Sequence, residues 1–306
     1  MHQSGGLIIH SNAEVKRVKS IQFGLLSPEA IQNMAVCEIT NPRSFEDNGT
    51  PTEGGINDLR MGTTDKKLRC ATCKCNFIDC PGHFGYIHLA KPVFHVGFIS
   101  ECLKLLKCVC KKCSRILIDD YEKYEEIAKI KNPKVRQLKI YNLCKSKKSC
   151  NDRKRKKPKK EESNNEMEQE KEPEDQGRFY KQGCGSLQPK YKRDNLKIII
   201  DNSEEGIEND GEAIEILLPE KVLEIFSKIP DEDCQILGFN KKYADPSWMI
   251  IQNLAVCPPQ VRPSVSVDSS LRSQDDLTHQ YKSNFKNKQR TKIREYYRCY
   301  LNSYSN

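Results

Sequence analysis

The segment CATCKCNFIDCPGHF, which begins at Cys70, sets four cysteines and a histidine in one loop-length stretch. The chain has fifteen cysteines in 306 residues, and its opening, MHQSGGLIIHSNAEVKRVKS, lacks a basic stretch followed by a long apolar one. No run approaches the eighteen apolar residues of a membrane span. The expectation is a soluble chain without a secretory signal, kept where thiols stay reduced and clustered sulfur binds metal rather than pairing in disulfides. Cys70, Cys73, Cys80 and His83 follow the pattern C-x2-C-x6-C-x2-H. Two residues between ligands let a tight knuckle aim both side chains at one ion while backbone N–H groups donate to the sulfurs. Two such pairs complete a tetrahedron of thiolate and imidazole, the closed geometry of structural zinc. Gly82 supplies the unusual backbone angle such a knuckle needs, and Cys75 is left over.

Cys110 and Cys113 form a second C-x2-C knuckle in CVCKKC, with Cys108 as a competitor. Its partners must come from farther along, where Cys144, Cys150 and the glycine-flanked Cys184 are available. Spacing does not choose between Cys144 and Cys150. A split site of this kind would tolerate a long insertion between its halves. A redox pair needs C-x-x-C at the start of a helix in a βαβ unit, whereas Cys70 and Cys73 lead into a Pro-Gly-His loop. Cys37, Cys102, Cys234, Cys257 and Cys299 read as core or neutral positions.

Around the clusters the pattern is mixed. Alternation of Ile21, Phe23 and Leu25 predicts a strand, and Ser27-Pro28 predicts a capped helix to about Val36. YIHLAKPVFHVGF predicts strands broken at Pro92 and Gly97, and Ile99–Lys107 a helix with Ile99, Cys102, Leu103 and Leu106 on one face. The charged stretch 119–148 reads as two helices split at Asn132-Pro133, polar enough to project from a body. Strand, strand and helix follow in NLKIIID and EAIEILLPEKVLEIFSKIP, then a short helix and a Trp-anchored apolar segment.

The net charge of +9 is uneven. Ten Lys/Arg against one acid run from Lys145 to Lys160, then eight acids against one base from Glu161 to Asp175. With almost no apolar side chains, 151–177 is expected to be disordered. Gln280–Asn306 carries seven bases and one acid, so the overall charge is weak testimony for nucleic acid. RKRKKPKK fits a nuclear-import patch, a nucleic-acid contact or, before either, a solvated run beside its acidic counterweight. No glycine-rich phosphate loop, H-E-x-x-H or G-x-S-x-G motif occurs. Asp231-Glu232-Asp233 and Asp275-Asp276 are isolated acidic runs, and His88 and His95 sit in strand-like sequence. The chain by itself is expected to catalyse nothing.

Several stretches taken in order, VKSIQFGLLSPE, GGINDLRMGTTD, CPGHFGYIHLAKPVFHVGF, GCGSLQPKYKRD, PSWMIIQNLAVCPPQVRPSVSVD and DDLTH, closely resemble the N-terminal region of the eukaryotic RNA polymerase II largest subunit. The resemblance implies an α+β fold of small irregular zinc-stabilised lobes, a clamp core and a helical clamp head, with a disordered charged insert. It implies clamp core in 1–100 and 195–279, head in 101–194, and two Zn2+ ions on Cys70, Cys73, Cys80, His83 and on Cys110, Cys113, Cys150, Cys184, which favours Cys150 over Cys144. It further implies a nuclear protein, other polymerase subunits as partners, template DNA and the RNA–DNA hybrid met through phosphates, and transcription factors docking at the helix pair.

The family's catalytic Mg2+ sits on an aspartate loop outside this sequence, so the expected contribution is positional. After DDLTH the text departs from the family: 280–306 is expected to be a non-homologous, disordered basic tail of a truncated product, with the composition of translated intron. The competing readings are a stand-alone zinc-dependent nucleic-acid-binding or adaptor protein, and a truncation without function.

Overall fold

The computed structural model describes residues 17–151, 183–201, 214–266 and 272–303. It is a mixed α/β structure of short elements. The first helix, α1 (Pro28–Met34), is capped by Ser27, whose Oγ accepts from Ala30 N at 2.9 Å. Strand β1 (Gly85–Phe94) leads through a turn into α2 (Ile99–Leu106), and α3 (Tyr121–Ala128) and α4 (Pro133–Cys144) follow. Asp120 and Asn132 cap those two helices, the second with proline in its first turn, where a missing N–H costs nothing. Next come β2 (Lys190–Asp194), β3 (Lys197–Asp201), β4 (Ile214–Leu217), α5 (Pro219–Ser227) and α6 (Asp231–Ile236). Strand β5 (Ile250–Val256), the short pair β6 (Val265–Ser266) and β7 (Arg272–Ser273), and the long helix α7 (Asp276–Ser303) complete the order.

Antiparallel pairing of β1 with β5 joins segments far apart in the chain, Gly85 opposite Val256 and Phe94 opposite Ile250. The register slips between His88 and Val93, around Pro92, which has no N–H to give to a ladder. Strands β2, β3 and β4 form an antiparallel meander. Two apolar clusters flank the β1–β5 ribbon. The larger gathers Ile99, Leu105 and Leu106 of α2 with Ile127, Ile140, Ile198, Phe226 and Ile250; the smaller holds Cys37, Ile39, Ile56, Met61, Ile87, Val256, Tyr281 and Phe285.

Four expectations need correction or precision. Residues 21–25 form no strand: Ile21 and Phe23 are 76% and 87% exposed, and the segment's backbone tie is Leu25 N to Tyr243 O at 2.8 Å. On α2 it is Leu105, not Leu103, that joins the fully buried face. The helix pair α3–α4 does not stand clear of the body. Ile127, Ile140 and Cys144 are buried, and the Arg136 guanidinium donates to the carbonyls of Gln235 and Ile236 at 2.6 Å each. The fourth is 280–306, which is helical to Ser303 rather than disordered. Thr278, Tyr281, Phe285 and Lys288 recur at three- and four-residue spacing and turn one buried stripe onto the smaller cluster. Composition hid that stripe. The expected insert at 151–177 lies, apart from Asn151, outside the described residues.

Arg262 fastens α7 in place. It is 2% exposed and donates to Cys257 O (3.0 Å), Ile56 O (2.6 Å), Asn57 Oδ1 (2.8 Å) and Thr278 Oγ1 (3.2 Å), with its guanidinium 5.6 Å from the Tyr281 ring centre. Phe285→Ala should destabilise the chain by about 3 kcal/mol, the scale of an emptied aromatic core site. Thermal unfolding of wild type and variant measures it, and an unchanged midpoint would show that α7 is not packed on the core.

Candidate metal centres

Both C-x2-C knuckles have the same backbone construction. In the first, Lys74 N donates to Cys70 O at 3.0 Å, Cys70 N donates to Cys75 O at 3.0 Å, and Thr72 N points at Cys70 Sγ at 3.3 Å. In the second, Ser114 N donates to Cys110 O at 3.0 Å, Cys110 N to Arg115 O at 2.9 Å, and Lys112 N to Cys110 Sγ at 3.4 Å. The residue after each second cysteine carries a left-handed backbone, φ 61° at Lys74 and 56° at Ser114. That kink swings the second sulfur back beside the first. Sequence reasoning missed both residues, because glycine usually marks such a position and neither is glycine.

The partner halves approach differently. Cys80 N donates to Asn76 O, and Gly82, at φ +81°, brings His83 around so that its Nε2 lies 3.8 Å from Cys80 Sγ. A side chain at Gly82 would strike Pro258, with Cβ 2.7 Å from the proline Cβ. His83 N donates to the carbonyl of the buried Met61, and two residues later β1 begins. Upstream, Asp58 takes hydrogen bonds from Gly54 N and from Arg60 N and its guanidinium. Burial would raise the Asp58 carboxyl, but these donors outweigh it and hold it below the usual carboxylate range.

For the second site, Cys150 N donates to Ser186 O at 3.0 Å and Gly185 N to Cys150 O at 2.9 Å, a reciprocal tie between segments far apart in the chain. Cys184 Sγ then lies 3.5 Å from Cys110 Sγ, and Cys150 Sγ lies 3.7 Å from Cys113 Sγ.

Two tetrads result: Cys70, Cys73, Cys80, His83 and Cys110, Cys113, Cys150, Cys184, the ligand atoms of each all within 4.8 Å of one another. Cys108 and Cys144 stand apart from both. They are 1% exposed, packed in the larger apolar cluster with their thiols in contact. Cys75 turns its thiol to the Cys73 carbonyl at 3.4 Å, outside the first tetrad. Of the two histidines in strand-like sequence, His88 pairs with Asn253 Oδ1 at 2.8 Å and His95 stacks on Phe98 at 4.6 Å.

One thiol of each tetrad is poised to ionise. Beside His83, and hydrogen-bonded within its own knuckle, Cys73 is lowered to about 6. Burial opposes ionisation of Cys110, but backbone N–H groups of Cys113 and Lys112 and the neighbouring thiols bring it down to about 7. Three other thiols go the other way, burial pushing Cys80 up to about 11 and raising Cys113 and Cys150. Four such groups together cannot all become thiolates without a cation, and three thiolates with an imidazole, or four thiolates, are donor sets suited to a borderline-soft divalent ion. Four protein donors would fill the coordination of a tetrahedral ion and leave no open position for a substrate. Gln188 braces the second tetrad, donating from Nε2 to Cys110 Sγ at 3.2 Å and to Ser186 O at 2.8 Å while its Oε1 accepts from Lys111 N. A glutamine four residues beyond Cys184 gave no signal in the sequence.

Short strands and helices joined by two such knuckle pairs define an α/β protein with two candidate metal centres. Residues 15–298 match the family RNA polymerase Rpb1, domain 1, a range that extends past His279. The chain is also 41% identical over 281 residues to the DNA-directed RNA polymerase II subunit RPB1 of Euplotoides octocarinatus, covering 90% of this chain and 54% of that protein. The chain belongs to the Rpb1 family, in its N-terminal region, and spans about half the length of the curated relative it matches.

Two substitutions probe the centres. Gly82→Ala puts a side chain into a left-handed position against Pro258 and should cost about 1–3 kcal/mol, with faster loss of metal to a chromogenic chelator from the first site only. Gln188→Ala should leave the fold intact and lower affinity at the second site roughly 10- to 100-fold, the usual effect of deleting a ligand's hydrogen-bond partner. Competition with the same chelator measures both.

Proposed function

We propose that this chain is the clamp region of a DNA-directed RNA polymerase II largest subunit, held in shape by two Zn2+ ions. Cys70, Cys73, Cys80 and His83 would hold one and Cys110, Cys113, Cys150 and Cys184 the other. Bound zinc supplies cross-linking between chain segments, not reaction chemistry. The clamp core comprises 1–100 and 195–279 and the head 101–194. Its contribution to DNA-templated RNA synthesis is positional: a rigid jaw that closes over template DNA and the RNA–DNA hybrid, meeting phosphates without reading bases. Its partners are the other polymerase II subunits and, at the head, transcription factors, and its place is the nucleus. No helix among the described residues is long and apolar enough to cross a membrane.

The observation that carries the reading is burial around the first tetrad in a chain of this family. From Thr64 to Phe84 the buried side chains are Cys70 and Cys80 alone, while Ile78 is 73% exposed. Apolar burial cannot fold such a loop, so its order must come from cross-linking through the ligands. The second tetrad differs, because Val109, Ile116, Leu117 and Ile118 bury beside it.

Elemental mass spectrometry of purified chain should give two zinc ions per molecule, falling to one in either Cys73→Ser or Cys113→Ser. One ion in the wild type would leave only the first centre, and none would end the zinc reading. After chelation, limited proteolysis should cut first within 64–84. The tagged chain should co-purify with polymerase subunits from nuclear extract, and complete failure to do so would refute the clamp role for it.

A further inference from the structure

A cavity of about 340 Å3 opens where the C-terminal ends of α2 and α4 meet β2, next to the second cysteine tetrad. Its apolar lining comes from Leu106, Leu117, Cys144 and Tyr191, none more than 5% exposed. Around these stand six lysines, Lys107, Lys145, Lys147, Lys148, Lys190 and Lys192, and a single carboxylate, Asp201. Asp201 is already engaged by Lys192 at 2.6 Å, and Lys147 is paired with Asp119 on the α3 side. Lys145 and Lys148 are exposed and Lys107 half-buried.

So many like charges around one apolar recess repel each other, which the fold itself does not require. They create a strongly positive field focused on a pocket at the lower end of the size range for ligand sites. The recess does not suit a nucleic-acid strand. Base stacking needs an open aromatic face, and the one aromatic residue in the lining, Tyr191, is 5% exposed. No arginine is present to fork onto a phosphate. An apolar floor with a lysine rim instead matches a peptide that carries one large apolar side chain among carboxylates.

We propose that this cavity is a docking site for an acidic peptide segment of a partner protein, one aromatic or aliphatic side chain entering the recess while flanking Asp and Glu meet the lysine rim. The inference deepens the factor-docking part of the function proposed above and rests on it. The rim steers the partner and makes binding salt-sensitive, and the recess supplies register.

The test uses the full zinc-loaded chain and a fluorescein-labelled peptide of alternating Asp and Glu with one central Phe, followed by fluorescence anisotropy. The same peptide with Gly at the centre and a single-stranded RNA of equal charge serve as comparisons. The Phe peptide should bind about 10-fold or more tightly than either, and the double variant Lys145→Glu/Lys148→Glu should weaken it by a similar factor. Equal binding of the Phe and Gly peptides, or undiminished binding by the double variant, overturns the proposal. So does RNA that binds more tightly than the peptide and is lost in the same variant, which would mark a nucleic-acid site instead. Zinc content and subunit co-purification are measured on the same variant: if both persist while peptide binding shows no dependence on Phe or on the lysines, the docking inference alone fails.

Discussion

A loop of some twenty residues that buries two side chains, both cysteine, cannot be held by the hydrophobic effect, and everything at this end of the molecule depends on what replaces it. The conformational entropy of ordering a residue is roughly 1–2 kcal/mol, and the loop from Thr64 to Phe84 has almost no apolar area to set against that. It has instead a dense set of local hydrogen bonds and four soft ligands converging within 4.8 Å. The left-handed backbone at Lys74 is itself unfavourable for a residue with a side chain. Strain of that kind persists only where the surroundings over-determine it. On the zinc reading proposed above, convergence of these ligands on a cation would supply the energy that apolar burial does not.

The order imposed on that loop does not stay local. His83 donates its backbone N–H to Met61, which is fully buried in the smaller cluster, and Gly85 then starts the ribbon with β5. Across that ribbon Asn253 Oδ1 accepts from His88 Nδ1 while its Nδ2 donates to the Pro28 carbonyl, so α1 is fixed by the same strand pair. At the far end, Val256 leads into the Pro259–Val261 turn and Arg262, whose five-donor fork binds the loop at Ile56–Asn57 to α7. A buried guanidinium that meets only neutral acceptors is held at a desolvation cost, which lowers its affinity for its proton. Its retention makes sense as geometry, since no apolar side chain would orient three segments at once.

How much of this was legible follows from where each signal sits in the chain. The first tetrad is contiguous, so spacing alone selected its four members. The second is split between 110–113, Cys150 and Cys184, and spacing left Cys108 and Cys144 as rivals; what separates them is tertiary, because those two thiols face into the larger cluster. Helix starts at Ser27 and Asn132 were readable because caps and prolines act locally. The alternation at Ile21, Phe23 and Leu25 misled because a strand needs a partner edge, and none of the described strands lies beside it. Helix α7 was hidden by the reverse problem. Its four inward residues include a threonine and a lysine, so the stripe has helical period without hydrophobic composition.

The two tetrads differ in what surrounds them, and the clamp role proposed above would draw on that difference. The first lies in a loop with almost no apolar burial, joined through Met61 and β1 to the smaller cluster. The second is wedged against the larger cluster, where Ile116 N donates to the fully buried Asp233 of α6, which also accepts from Tyr124 Oη of α3. Around the second tetrad, stiffness is therefore shared between packing, a buried carboxylate and, on the proposed reading, the ligated ion. In the 64–84 loop, on the proposed zinc reading, stiffness would come from ligation together with local hydrogen bonds. Under the proposed clamp role, a moving element needs rigid lobes more than a large core, and short metal cross-links would supply that rigidity where surface-to-volume ratio limits a core.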